Sequence, residues 1–131
     1  MKVLFDGGLL EEIGSKKSAE IVVLLLKALV ECNLAYLEAH PNTPHPYSAG
    51  IRYQRERKGH ERWKAIPKIL EDGEGDCEDL AAYLAAYLAH QKLSPVRIVV
   101  RWRTLPTHAR LFHVLVKGPD GYEDPSRRLG M

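Results

Sequence analysis

Three residues stand out for what their side chains could do together: Cys77 in GDCEDLAAYL, His113 in RLFHVLVK and Asp124 in YEDPS. A thiolate attacks an amide carbonyl, an imidazole carries the proton, and a carboxylate orients the imidazole. Cys77 is placed for that work. Asp76 is a good N-cap and Asp79 holds the acid position of a capping box, so a helix is predicted to begin at the cysteine. The open N–H groups and the dipole of a helix start favour a thiolate and can hold an oxyanion. The acids Asp76, Glu78 and Asp79 work against this, raising the thiol pKa unless they cap the helix or point elsewhere. A cationic neighbour is therefore required. His113 is the candidate, and His108, in the loop-like LPTHA, is a second.

Asp124 follows His113 by eleven residues across GPDG. That tetrapeptide is a strong hairpin turn, which would set the two residues close to opposite each other on adjacent strands. Each residue also has an ordinary reading: a packed helix-start thiol whose acids merely cap, a satisfied core histidine, and a pre-proline turn aspartate. The three together, in this order, favour a triad. Metal chemistry is less well supported. DGEGDCED (72–79) lacks the glycine and terminal glutamate of a calcium loop. A zinc set of Cys77, His108, His113 and Asp124 has no close-spaced ligand pair to anchor it.

The elements that must position these residues follow from patterning. Ser15 or Ser18 can cap a first helix running to about Glu38, with Ile21, Leu24, Leu25, Ala28 and Leu29 at helical spacing. It must stop before HPNTPHPYSAG (40–50), whose three closely spaced prolines remove donors and fix extended geometry. A shorter helix is predicted from about Glu61 to Glu71, carrying Trp63, Ile66, Ile69 and Leu70 inward, and DGEG (72–75) ends it. The cysteine helix then runs to about Lys92 and is apolar nearly all round, as a helix buried on most sides must be. VRIVVRW (96–102) and RLFHVLVKG (110–118) read as strands, the second a central one. Helices first and strands afterwards predict an α+β domain: a helical N-terminal half, and a buried central helix starting at the cysteine and packed on a small antiparallel sheet.

Composition sets the outer limits. The chain of 131 residues has a single-domain length, with 45% apolar and 27% charged residues and a net charge of +2. No pull toward nucleic acid or membrane is encoded in the bulk charge, and the basic stretch IRYQRERKGHERWK (51–64) could touch an acidic partner but is better read as a solvated face with acids interleaved. Cys32 and Cys77 are too few for a disulfide framework, and Cys32 reads as a small buried hydrophobe. The N-terminus lacks the pattern of a secretory signal, and IVVLLLKALV (21–30) is too short to span a bilayer. A soluble, cytoplasmic protein with its thiols reduced is the expectation.

GDCEDLAAYLAAYL, a histidine in a strand (FHVLV) and an aspartate before proline (YEDPS) resemble the transglutaminase-like superfamily of papain-type fold. GDCEDLA is also similar to bacterial transglutaminase-like cysteine proteinases. YQRERKGHERWKAIPKIL and the ending YEDPSRRLGM look more specifically like small transglutaminase-like proteins of tailed phages and prophages. The resemblance covers roughly Tyr53 to the C-terminus. It implies one transglutaminase-like domain over 1–131, with 1–50 a helical extension and 51–131 the catalytic core. It also implies Cys77 as nucleophile, His113 as general base and acid, and Asp124 as orienting carboxylate. An upstream side chain would complete the oxyanion hole, with Tyr53 preferred over Gln54 or Trp63.

The expected function is cysteine-dependent acyl transfer on a protein or peptide amide, with hydrolysis favoured over transamidation because excluding water requires a built tunnel. No metal or organic cofactor is called for, and neither nucleic acid nor membrane is an expected partner. The alternative is an assembly or interaction module that keeps the fold without turnover and binds phage virion components, which would make the protein virion-associated.

Overall fold

In a computed structural model that describes residues 2–4, 15–56, 62–93, 95–104, 106–107 and 110–131, the chain is mixed helix and strand. A short strand β1 (Lys2–Leu4) precedes helix α1 (Ser15–Ala39). After the proline-rich loop and a single 3-10 turn (Pro46–Ser48) come β2 (Arg52–Tyr53) and β3 (Arg62–Lys64). Helix α2 (Ile66–Asp72), strand β4 (Glu74–Gly75) and helix α3 (Cys77–His90) follow. The chain closes with β5 (Arg97–Thr104), β6 (Arg110–Gly118), β7 (Gly121–Glu123) and a short helix α4 (Pro125–Arg128). The predicted α+β class holds. Among the described residues no helix is long and apolar enough to cross a membrane.

Helix α3 is the hub. Every residue from Cys77 to Ala86 is buried, which its alanines permit by letting neighbours approach on all sides. One side packs on Val22, Leu26 and Leu29 of α1 and on Val114 and Val116 of β6, in a core that also holds Cys77 and Trp63. Another side meets Leu37, Ile51, Ile66 and Ile69 through Leu80 and Tyr83. The Tyr83 hydroxyl donates to the Pro44 carbonyl at 2.6 Å, tying the proline loop to the same helix. Helix α1 and the elements beyond residue 51 thus share one core.

The sheet has the order β5-β6-β7, all antiparallel, with β6 in the centre. Two further two-stranded pieces flank the start of α3: β1 with β3, antiparallel, and β2 with β4, parallel. Gly73 ends α2 in the left-handed region (φ 72°), its N–H closing on the Ile69 carbonyl. Gly75 suits a tight space, since a Cβ there would lie 3.1 Å from the Cβ of Asp79.

Three expectations need correction. Trp63 belongs to strand β3, and the helix placed around it starts at Ile66, because residues 62–64 pair with β1 while Pro67 suits a first helical turn. The inner face of α1 runs through Ser18, Val22, Leu26, Leu29, Asn33 and Leu37, leaving Leu24 64% exposed. Six apolar residues in succession (21–26) carry no phase by themselves; the exposed charges Glu20, Lys27 and Glu31, on the side of Leu24, mark the outer face. Buried Ser18 lies inside the helix rather than at its N-cap; further along α1, the Asn33 Oδ1 accepts from the Ile66 N–H at 2.9 Å and so secures the start of α2.

The head of α3 is clamped by Asp79, which is fully buried. Its Oδ2 accepts from the Asp76 N–H at 3.0 Å, and its Oδ1 accepts from the Lys64 N–H at 2.7 Å. Replacing Asp79 with Ala would leave both part-buried amides without this partner, at about 1–3 kcal/mol each. Urea unfolding of Asp79→Ala should accordingly show a loss of about 2–5 kcal/mol at an unchanged m-value, and a loss under about 1 kcal/mol would mean that another contact seats the helix.

Candidate active site

Cys77 is the first residue of α3, and Asp76 is its N-cap in extended backbone. Asp76 Oδ1 accepts from the Cys77 N–H at 2.7 Å, and Oδ2 accepts from the Glu56 N–H at 3.2 Å. The capping box with Asp79 is complete in both directions. Two of the three acids around the thiol are therefore structural. Glu78 is different: it is 3% exposed, and Cys77 Sγ donates to its Oε2 at 3.2 Å.

Burial, with Glu78 and Asp76 adding negative charge, pushes the Cys77 thiol well above its ordinary range. Burial likewise drives Glu78 up, reinforced by Asp79 and Asp76. One group works the other way, the backbone N–H of Val114, which favours the thiolate. It reaches the sulfur because β7 pairs with β6 only from Val116 onward, so the edge of β6 at Val114 is open to the helix start. The thiol meets the central strand edge-on, one residue from His113.

His113 and Asp124 are brought together: Nε2 donates to Asp124 Oδ2 at 2.8 Å, both side chains being partly buried. The route differs from direct opposition. The β6–β7 register pairs Val116 with Glu123, so Asp124 lies just beyond the strand across from Leu115, and it reaches His113 along the diagonal. Asp124 is held by its other duty. It N-caps α4, with Oδ1 accepting from the Arg127 N–H at 3.3 Å. With Nε2 on Asp124, the imidazole presents Nδ1 for proton transfer. His113 makes no hydrogen bond to Cys77, whose S–H is directed to Glu78.

The expected open oxyanion donors are occupied. The Cys77 and Asp79 N–H groups are taken by the Asp76 carboxylate, and the Glu78 N–H by its own side chain. Tyr53 does lie at the site: burial, then the charges of Asp76 and Cys77, raise its pKa, and its hydroxyl interacts with the Asp76 carboxylate. Its N–H donates to the Leu129 carbonyl at 2.8 Å, so the segment that carries Asp124 also fixes Tyr53. Gln54 does not join them, being exposed with its side chain turned to the Arg55 carbonyl. Trp63 is fully buried in the core. His108 lies outside the described residues. Cys32 is only partly buried, short of the buried hydrophobe expected.

Of the zinc set, His113 and Asp124 hold each other while Cys77 turns to Glu78, so the described members do not converge. Asp76, Cys77 and Glu78 do offer one atom each within 4.8 Å of one another. Both Asp76 oxygens already accept backbone N–H groups there, so a cation would have to compete with the helix cap. Glu78 is the residue whose contact the sequence did not reveal, since an acid at the second position of a helix ordinarily faces water. No protein-family model, curated protein or solved structure matches this chain.

The Cys77–Glu78 contact has a direct chemical consequence. Neutral Glu78 adds little repulsion, whereas ionised Glu78 opposes a thiolate at hydrogen-bond range. Its raised pKa delays ionisation to above the usual carboxylate range. Alkylation of Cys77 by iodoacetamide should therefore be similar in the wild type and Glu78→Gln at mildly acidic pH, then diverge as pH rises. The variant should become faster by about tenfold for each unit by which its thiol pKa is lower. Parallel pH profiles would show that Glu78 does not restrain the sulfur.

Proposed function

We propose that this chain is a cysteine-dependent acyl-transfer enzyme of the transglutaminase-like kind, with a papain-type core and Cys77, His113 and Asp124 as its triad. The observation that carries the reading is the 2.8 Å His113–Asp124 pair, one residue along the same strand from the amide that supports the Cys77 thiolate. Asp124 holds the Nε2 proton, which fixes the tautomer and stabilises the imidazolium.

In turnover the S–H proton leaves Glu78 for His113 Nδ1, and the sulfur attacks the carbonyl of a protein or peptide amide. The tetrahedral oxyanion then collapses as His113 returns the proton to the departing amine, leaving a thioester. Water, deprotonated by His113, hydrolyses it; an amine in its place gives transamidation. Hydrolysis is the favoured outcome at a site where His113 remains partly exposed to solvent. The Tyr53 hydroxyl, on turning from the Asp76 carboxylate to the substrate, is the side-chain donor for the oxyanion, since the first-turn N–H groups serve the cap.

One observation favours a second reading, a binding or assembly module without turnover that engages virion components: the thiol is buried and bonded to Glu78 rather than to the imidazole. The two are separable. Release of fluorescent peptides from labelled casein, and incorporation of dansylcadaverine for the amine branch, should fall at least about a thousandfold in Cys77→Ala and His113→Ala. Asp124→Asn should lose about a hundredfold or more while keeping its helix cap. Turnover that survives Cys77→Ala would overturn the enzymatic reading. A wild type inert in both assays, with capsid co-purification unaffected by Cys77→Ala, would establish the alternative.

A further inference from the structure

The sheet face that carries His113 is a basic surface. Strand alternation and register place Arg97, Arg101 and Arg103 of β5 on the same side as His113 and Lys117 of β6 and Tyr122 of β7. The three arginines are exposed, and Tyr122 is 56% exposed. Arg101 is the direct cross-strand partner of His113, and Arg97 is that of Lys117. Arg101 and Lys117 each stand 5.2 Å from the centre of the Tyr122 ring, one cation from β5 and one from β6.

Two features separate this face from an ordinary solvated one. Among the described residues none of its four cations makes a salt bridge. Of the carboxylates nearest in the chain, Asp124 is committed to His113 and Arg127, Glu123 lies on the opposite side, paired with Val116, and exposed Asp120 of the turn forms no salt bridge with these cations. The Arg97–Lys117 pair also sets two like charges directly across the ladder, an arrangement that costs stability. A local conflict of this kind belongs to surfaces kept for binding.

We propose that this face is the substrate-docking surface and that its ligand is an acidic peptide segment, laid extended along β5 and β6 with its target amide at His113. The proposal rests on the acyl-transfer reading and adds the substrate class. Arg97 to Arg103 span about 20 Å of strand, the length of about six extended residues, so side chains alternating along such a peptide meet the arginines in turn. Arg101, beside His113, selects a carboxylate next to the reacting residue, and Tyr122 supplies an apolar shelf between two cations. Charge complementarity steers the approach and makes it dependent on salt. A single-stranded nucleic acid would need several stacking platforms, whereas the exposed aromatic ring on this face is Tyr122 alone among the described residues.

The test measures binding apart from turnover. In the Cys77→Ala protein, fluorescence anisotropy should show a fluorescein-labelled oligoglutamate peptide binding tighter than a Gly/Ser peptide of equal length, and losing affinity as salt is raised. Arg101→Glu/Arg103→Glu should weaken that binding by about tenfold or more. Lys117→Glu is the second variant: it should weaken the peptide while raising the melting temperature, because it replaces a like-charge pair with an opposite one. Equal binding of the two peptides, affinity unchanged by charge reversal, or tighter binding of a matched oligodeoxynucleotide would each overturn the proposal. Failure here with a Cys77-dependent amidase intact removes only the docking surface. Oligoglutamate binding without any Cys77-dependent turnover removes only the acyl-transfer reading.

Discussion

The carboxylate of Asp79 is the point on which the molecule depends. Fully buried at the head of α3, it binds the amide of its own cap residue and that of Lys64 in β3. One side chain thereby fixes where the central helix begins and joins it to the strand ahead of it. Burial raises the Asp79 pKa to about 7, and the two N–H groups resist that rise. Gly75 makes the arrangement possible by leaving room against the Asp79 Cβ.

From that fixed helix start the candidate site acquires a divided character. On one side, His113 and Asp124 form an oriented pair, held by the cap of α4 and by the partial extent of β7. On the other, the thiol rests on Glu78 in a buried acidic setting that favours its protonated form. The amide of Val114 is the physical link between the halves, since it belongs to the strand of His113 and favours the thiolate of Cys77. A thiol kept neutral is protected from oxidation and alkylation, because the thiolate is the reactive form. The first-turn N–H groups are committed to the cap, which shifts the weight of the proposed oxyanion hole toward Tyr53.

Much of this was legible in order and spacing. The capping box at Asp76 and Asp79 announces the start of α3, and its alanines announce the burial. GPDG announces the β6–β7 turn, and the placing of His113 in a central strand followed from the apolar, β-branched run around it. What failed did so for stated causes. Trp63 was assigned to a helix because pairing with β1, nearly sixty residues earlier, leaves no local mark. The inner face of α1 differs from the one the apolar spacing suggests because residues 21–26 are apolar in succession, and Leu24 faces solvent on the side marked by Glu20, Lys27 and Glu31. His113 and Asp124 meet diagonally, since register depends on the length of β7 and not on the turn alone.

By itself the sequence determined the α+β class, the position of the cysteine at a helix start and the pairing of the histidine with the aspartate. Each of these follows from caps, turns and periodicity, which act over a few residues. Only the tertiary structure decided which way Glu78 points, that the sulfur meets the edge of β6 at Val114, and that four cations gather on the face of His113 without a salt bridge among the described residues. Those outcomes depend on burial and on strand register, and both are settled between residues far apart in the chain.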